Sequence, residues 1–258
     1  MTWLNFTIFY SQEEWHLLLE RCIAPLLRNE DNKYLLYLGN ERGDHIRLSI
    51  YTMADRLNHV SGELTSFLAA HPSVDKEKVH PISYLFMDFP NNTVRHNLHS
   101  PASYYVEEGL QYFIAARILD EIGTDVIDED SLFTFFTYAL VMVIRVYCPD
   151  RVVAEMQLGN ILGEKLQVAS VFEGNEEALE YFCEEVWSDE NEEVAAWALV
   201  IQSGTLEEFL PVFIHLLIMH LGLKQAPQHI QALLVAIWDV LGTMNKSAVD
   251  GRIKTPSD

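Results

Sequence analysis

The segment Gly43-Asp44-His45-Ile46-Arg47-Leu48-Ser49-Ile50 constrains this chain more than any other. Ile46, Leu48 and Ile50 recur at every second residue, the period of a strand with one buried face. The same alternation gathers His45, Arg47 and Ser49 on the opposite face. Arg47 offers a fixed fork of donors suited to a carboxylate, and a histidine two residues away titrates near neutral pH. The chain carries a net charge of −21, with 17 Lys and Arg against 38 Asp and Glu. Basic residues spent this way in so acidic a chain predict an anion-reading site. The competing expectation is a basic pair on the solvent face of an amphipathic strand.

The neighbouring sequence extends this strand into a layer. Trp3 to Tyr10 alternates apolar and polar residues and predicts an opening strand. Ser11-x-x-Glu14 has the form of a capping box, followed by a helix carrying Trp15, Leu18, Leu19, Cys22 and Ile23. Pro25 is expected to disturb the end of that helix. Lys33 to Leu38 predicts a second strand, and residues 37–50 a hairpin. Ala54 to Ala70 predicts a helix stopped by Pro72. The order over the first 80 residues is β-α-β-β-α, an α+β layer with helices on one face.

Residues 81–103 are punctuated by Pro81, Pro90 and Pro101 and read as irregular, with a strand near Ser83 to Phe89. From Ser103 onward the periodicity is helical, over 104–122, 129–147, 151–169, 174–187, 190–202, 206–221 and 226–243. Asp128 or Asp130 is placed to cap the second of these. The expected organisation is an α+β sheet subdomain over 1–103, a larger all-helical region over 104–246 packed on it, and a flexible tail over 247–258.

With 258 residues, 49% of them hydrophobic and 21% charged, the chain can bury a substantial core. Its acidity gives no help in holding a phosphate backbone, so nucleic-acid binding is not expected. Three widely spaced cysteines form no disulfide framework. The opening residues lack the regions of a signal peptide. The apolar run Leu132 to Val146 is shorter than a membrane span and predicts a buried helix. Together these predict a cytoplasmic protein with no membrane association. Glycine-rich phosphate loops, nucleophile elbows and zinc motifs are missing from the sequence. His215 and His220, five apart on one predicted helix, stand about 140° apart, which argues against a shared metal ion. Residues 171–195 hold ten acidic residues and no basic one, a solvated face or a docking surface for a basic partner.

Four further positions are candidates. Arg95 lies beside His96 and His99 in the irregular segment, where loops often carry function. His215 sits in Phe213-Ile214-His215-Leu216, an apolar helix, and reads either as a satisfied core histidine or as an acid or base tuned by burial. Arg117 and Arg145 interrupt apolar helical stretches and are expected to pair with carboxylates. Tyr104, Tyr105 and Tyr112 read as core and rim.

Three segments carry a resemblance to a known family: Trp3 to Tyr10 with the helix ending Ile23-Ala24-Pro25-Leu26-Leu27; Lys33 to Leu38 leading into His45 to Ile50; and the late helix around His215. The chain resembles the small C-terminal domain of lantibiotic dehydratases, also found as stand-alone proteins in thiopeptide-type bacteriocin biosynthesis. The resemblance spans residues 1 to about 243 and is strong over the first 50. It implies elimination of glutamate from glutamylated Ser or Thr of a precursor peptide. Relatives instead condense two dehydroalanines into a six-membered nitrogen ring.

Carried over by position, Arg47, Arg95 and His215 take the catalytic roles, and His45, Ser49, His96 and His220 fall at substrate-binding positions. No metal or cofactor is implied. The implied partners are the precursor peptide and a separate tRNA-dependent glutamylation protein. Three positions depart from the eliminating pattern. Ser49 replaces a second strand arginine, Met219-His220 replaces an Asn-Arg pair, and Asn97-Leu98 stands where a glycine pair is usual. These departures fit a cyclase, a changed substrate or a non-catalytic, peptide-binding scaffold of the modification complex.

Overall fold

The structure is a computed structural model. It describes residues 1–28, 33–40, 42–74, 89–96, 108–122, 127–163, 176–188, 191–201, 204–224 and 227–253. A mixed sheet-and-helix N-terminal region is followed by a predominantly helical C-terminal region. Two compact units divide the chain. One comprises Met1–Phe135 with Leu216–Leu223, and the other Phe136–His215 with Lys224–Asp258.

In the first unit, strands β1 (Thr2–Phe9), β2 (Lys33–Gly39), β3 (His45–Thr52) and β4 (Thr93–His96) form an antiparallel sheet in the order β2-β3-β1-β4. Phe6 pairs with Leu48 and Ile8 with Ile46, so one face is continuous hydrocarbon. Helix α3 (Leu57–Ala70) lies on that side, where Ser61 Oγ meets His96 Nε2 at 3.2 Å and the His96 ring packs edge-on against Phe6. Its buried residues Val60, Leu64 and Leu68 recur every four positions, the stripe that turns an amphipathic helix toward a core.

The second face is covered too. Helix α4 (Glu108–Arg117) stacks Tyr112 on Trp3, and its Gln111 accepts a hydrogen bond from the Tyr37 hydroxyl. The one-sided layer expected from the first 80 residues is therefore completed by later helices. Leu35, His45 and Ser49 are buried as well, although they face away from Ile46 and Leu48.

Several local expectations change. Ser11 makes no side-chain cap. Its N–H donates to Ser73 Oγ, while the backbone N–H of Gln12 donates to Asp44 Oδ2 in the β2–β3 turn. Glu14 accepts from the Tyr10 hydroxyl. The Thr-x-x-Glu box forms instead at Thr205 and Glu208, where each side chain accepts from the other's backbone N–H. Pro25 does not end its helix. Residues 15–28 run through α1 (Trp15–Leu18), a wide turn with π geometry at Leu19–Ile23, and α2 (Ala24–Arg28). Proline cannot supply the usual N–H one turn back, and the widened turn immediately precedes it.

Residues 93–96, read as irregular, form β4 because β1 offers them an edge to pair with. Of the strand expected at Ser83 to Phe89, only Phe89 lies within the described residues. Tyr104, Tyr105 and His99 lie outside them.

The remaining helices are α5 (Glu129–Tyr147), α6 (Arg151–Leu162), α7 (Glu176–Val186), α8 (Glu193–Val200), α9 (Leu206–Leu221) and α10 (Pro227–Ile253). Asp128 caps α5 by accepting from the Ser131 N–H, and Asp150 caps α6 by accepting from Val152 and Val153. α5 has 19 residues and is long and apolar enough to cross a membrane by length and composition, but Phe135, Phe136 and residues 139–144 are buried in protein. Within the second unit α10 packs on α6 and α7, and Asn245 donates to Glu155 at 2.7 Å. Arg117 pairs with Glu121 as expected. Arg145 instead donates to the Pro149 carbonyl.

Strand β2 lies at the sheet's edge, and the end of α9 closes it. His220 donates to the Leu36 carbonyl at 2.6 Å. Gly222, at φ +63°, passes so close that a Cβ there would lie 2.3 Å from the Leu38 carbonyl oxygen. Gly222→Ala meets both a left-handed backbone and a backbone clash, so it is expected to lower stability by about 2 kcal/mol or more in a chemical-denaturation experiment.

Candidate functional site

The antiparallel register builds a polar row across the second face. Tyr37 pairs with Arg47, Arg47 with Thr7, and Thr7 with Arg95. One pair along, Asn5 sits opposite Ser49, and on the other side Phe9 sits opposite both His45 and Thr93. Arg47 and Arg95 therefore share one face, flanking Thr7. Arg95 is a strand residue, not a loop residue.

His45 lies inside the protein, 2% exposed, rather than on a solvent face. Its Nδ1–H donates to the Gly43 carbonyl at 2.8 Å. That bond fixes the tautomer, because a carbonyl only accepts. Nε2 is left as an acceptor, and the Arg47 Nε–H donates to it at 3.1 Å. The ring needs space to reach this position, and Gly39 across the strand pair provides it. A Cβ on Gly39 would lie 2.8 Å from His45 Nε2. Arg47 is half-buried and is gripped through Nε, which sets the direction of its guanidinium.

Ser49 is fully buried in the same face, and Asn5 Oδ1 is buried with no hydrogen-bond partner among the described residues. His220 stacks on Tyr37, ring centroids 4.4 Å apart. Its Nδ1–H is committed to Leu36, so Nε2 carries a lone pair, and that atom too is buried without a partner among the described residues. Burial pushes the His220 pKa down to about 4, against a weaker upward pull from the bond to Leu36. The position where the resemblance has an arginine thus holds a neutral side chain.

Two expected residues lie elsewhere. His96 is on the opposite face, against Phe6 and Ser61. His215 belongs to the second unit and is exposed, so it is not a core histidine. The helix around it buries Phe213, Leu216, Leu217 and His220, and His215 falls outside that arc.

Sequence reasoning missed Asn5 and Tyr37, whose signal was their place at every second position of strands β1 and β2. It also missed Phe89 and Arg42. Phe89 packs at a tilt on Phe9, ring centroids 4.8 Å apart, and the guanidinium carbons of Arg42 and Arg95 lie 4.6 and 5.5 Å from its ring centre. Chemically the face presents a fixed guanidinium amid neutral hydrogen-bonding groups, with an aromatic and cationic rim at one end.

No family model and no curated protein sequence matches the chain. Among solved structures, the fold is similar to that of the pyridine synthase TbtD from thiomuracin biosynthesis, with a TM-score of 0.64 and 15% identity. The likeness covers 96% of this chain and 100% of that one. This chain therefore has the fold of an enzyme of thiopeptide biosynthesis.

Two outcomes follow from the geometry. Gly39→Ala should displace the His45 ring and remove the slowly exchanging Arg47 Nε–H resonance in nitrogen-resolved NMR, as His45→Ala should. The His220 pKa is depressed relative to the unfolded chain, which takes up a proton near the usual histidine value of 6.5. The unfolded state then binds more protons below that value. Stability contributed by neutral His220 is complete above about pH 6.5 and is lost as pH falls toward 4. His220→Gln should flatten the pH dependence of stability in that window.

Proposed function

We propose that the chain is an enzyme of ribosomal-peptide modification that joins two dehydroalanine residues of a peptide into a six-membered nitrogen ring. The fold likeness to a pyridine synthase over nearly the whole chain supports this. The observation that carries it is Arg47, held through Nε by His45 on a face whose other inward groups, Ser49, Asn5 and Thr7, are neutral.

Valence defines what such a site must do. The ring takes Cα and Cβ of one dehydroalanine, Cβ, Cα and N of the other, and the carbonyl carbon preceding that nitrogen. The second residue reacts as an aza-diene only when its amide is in the hydroxy-imine form, C(OH)=N. Two carbon–carbon bonds then form, from Cβ to Cβ and from Cα to the former carbonyl carbon, with no atom gained or lost. The amide oxygen is where the protein acts on this equilibrium. A preorganised guanidinium, partly withdrawn from water, stabilises charge on that oxygen more than solvent does. Ser49 suits this chemistry, because no departing carboxylate calls for a second strand cation.

Glutamate elimination is the second reading, favoured by Arg47 and Arg95 flanking Thr7 in one row. There a base would remove the α-proton, the glutamyl carboxylate would leave toward Arg47, and a separate tRNA-dependent protein would supply the glutamylated peptide. The buried neutral Ser49 and His220, where the eliminating pattern has arginines, weigh against it.

Mass spectrometry separates the readings. A peptide with two dehydroalanines should lose two thiol-reactive double bonds on incubation with the protein. A glutamylated Ser peptide that loses its whole glutamate and gains one thiol-reactive double bond would establish elimination instead. Failure with both substrates would leave a peptide-binding scaffold. Arg47→Ala should slow ring formation roughly 100-fold. Arg47→Lys should not restore it, because an ammonium cannot present both the Nε contact to His45 and a fixed fork.

A further inference from the structure

The face that carries Arg47 also carries a buried acceptor. Asn5 lies on β1, a central strand of the sheet, and shares its face with Thr7, Ser49 and Arg47. Ser49 stands directly opposite it. Arg47 is its diagonal neighbour across the β1–β3 pair, about 7–8 Å away and within reach of a long side chain. Beyond Asn5 the rings of Trp3, Tyr51 and Tyr112 close the face, with centroids 5.3 Å apart for Trp3 and Tyr51 and 6.3 Å apart for Trp3 and Tyr112. Asn5 is 9% exposed, and its Oδ1 is buried without a hydrogen-bond partner among the described residues.

An acceptor withdrawn from water and left unbonded costs free energy that an apolar side chain of the same shape does not incur. His220 Nε2 is a second such acceptor, but His220 is 0% exposed behind the β2 edge. Asn5 keeps some surface in the middle of the sheet. The terminal torsion of asparagine is broad, so a half-turn exchanges the two ends of its amide and brings the oxygen to the open side.

The proposed reaction defines the donor this acceptor meets. In the reacting form, the dehydroalanine that supplies the ring nitrogen has moved its amide hydrogen to oxygen and offers no N–H. The dehydroalanine that supplies only two carbons keeps its nitrogen outside the ring and its N–H intact. We infer that Asn5 selects and places this two-carbon partner, its Oδ1 accepting that backbone N–H while Arg47 faces the amide oxygen of the other residue. The inference rests on the proposed ring formation. No atom passes to or from Asn5, and the bond leaves more electron density on the nitrogen and on the double bond conjugated with it.

The test uses the intact protein and two peptides, each with two dehydroalanines, one of them with an ester oxygen in place of the N–H of the two-carbon residue. Ring formation is followed by mass spectrometry as the loss of thiol-reactive double bonds. Asn5→Leu is close in shape and removes the unbonded acceptor, so it should melt no lower than the parent protein. It should slow ring formation on the amide peptide roughly tenfold and leave the rate on the ester peptide nearly unchanged. The ratio of amide to ester rates then falls by that factor, whereas a residue that only supported the fold would change both rates alike. An undiminished amide rate in Asn5→Leu, or the same amide-to-ester ratio in both proteins, would overturn the inference and leave the ring-forming reading standing. Absence of ring formation by the parent protein on the amide peptide would overturn both.

Discussion

The pairing of β1 with β3 decides where every site residue goes. Eight consecutive pairs run from Thr2 with Thr52 to Phe9 with His45, and the Tyr10 N–H continues the ladder to the Asp44 carbonyl. Sheets alternate faces with a period of two, so a slip of one residue would turn Arg47 and Ser49 into the hydrocarbon core and expose Ile46 and Leu48. Phe6, Ile8 and Leu4 opposite those apolar residues make that slip costly. The site is thus held by the same burial that stabilises the sheet. β4 then inherits the register, and Arg95 arrives on the Arg47 face without contributing to the core.

Arg47 gains its chemical character from how it is held. Here a buried imidazole takes one donor, and that imidazole is itself aimed by a backbone carbonyl and given room by the missing side chain of Gly39. Both partners in this relay, the Gly43 carbonyl and the His45 ring, are neutral groups, and together they orient the guanidinium. The buried neutral groups Ser49 and His220 keep the surrounding face polar without adding charge.

Much of this was legible in the chain itself. The alternation in Trp3 to Tyr10 and His45 to Ile50 sufficed for two strands and for the shared face of His45 and Arg47, and Lys33 to Leu38 supplied the third. The helical periods of residues 129–147 and 206–221 matched their observed bounds. What escaped had non-local causes. Four residues such as Thr93–His96 carry no readable period, and pairing with the edge of β1 makes them a strand. Phe213 to His220 is apolar almost all round, so no periodicity marked His215 as exposed and His220 as buried. Ser11 and Glu14 have the right spacing for a cap, but Ser73 and Tyr10, distant or outside the motif, claim them. Arg42 resembled an ordinary polar turn residue, because the ring that organises it lies 47 positions further on.

The bond between His220 and Leu36 joins residues 184 positions apart. During synthesis β2 emerges long before the segment that closes its outer edge. For most of translation the sheet presents an unpaired strand edge, the feature most prone to mispair with other chains. The last turn of α9 therefore acts as a late latch. A fragment ending at residue 135 would contain the whole sheet yet lack both the imidazole that takes up the Leu36 carbonyl and the glycine that passes Leu38.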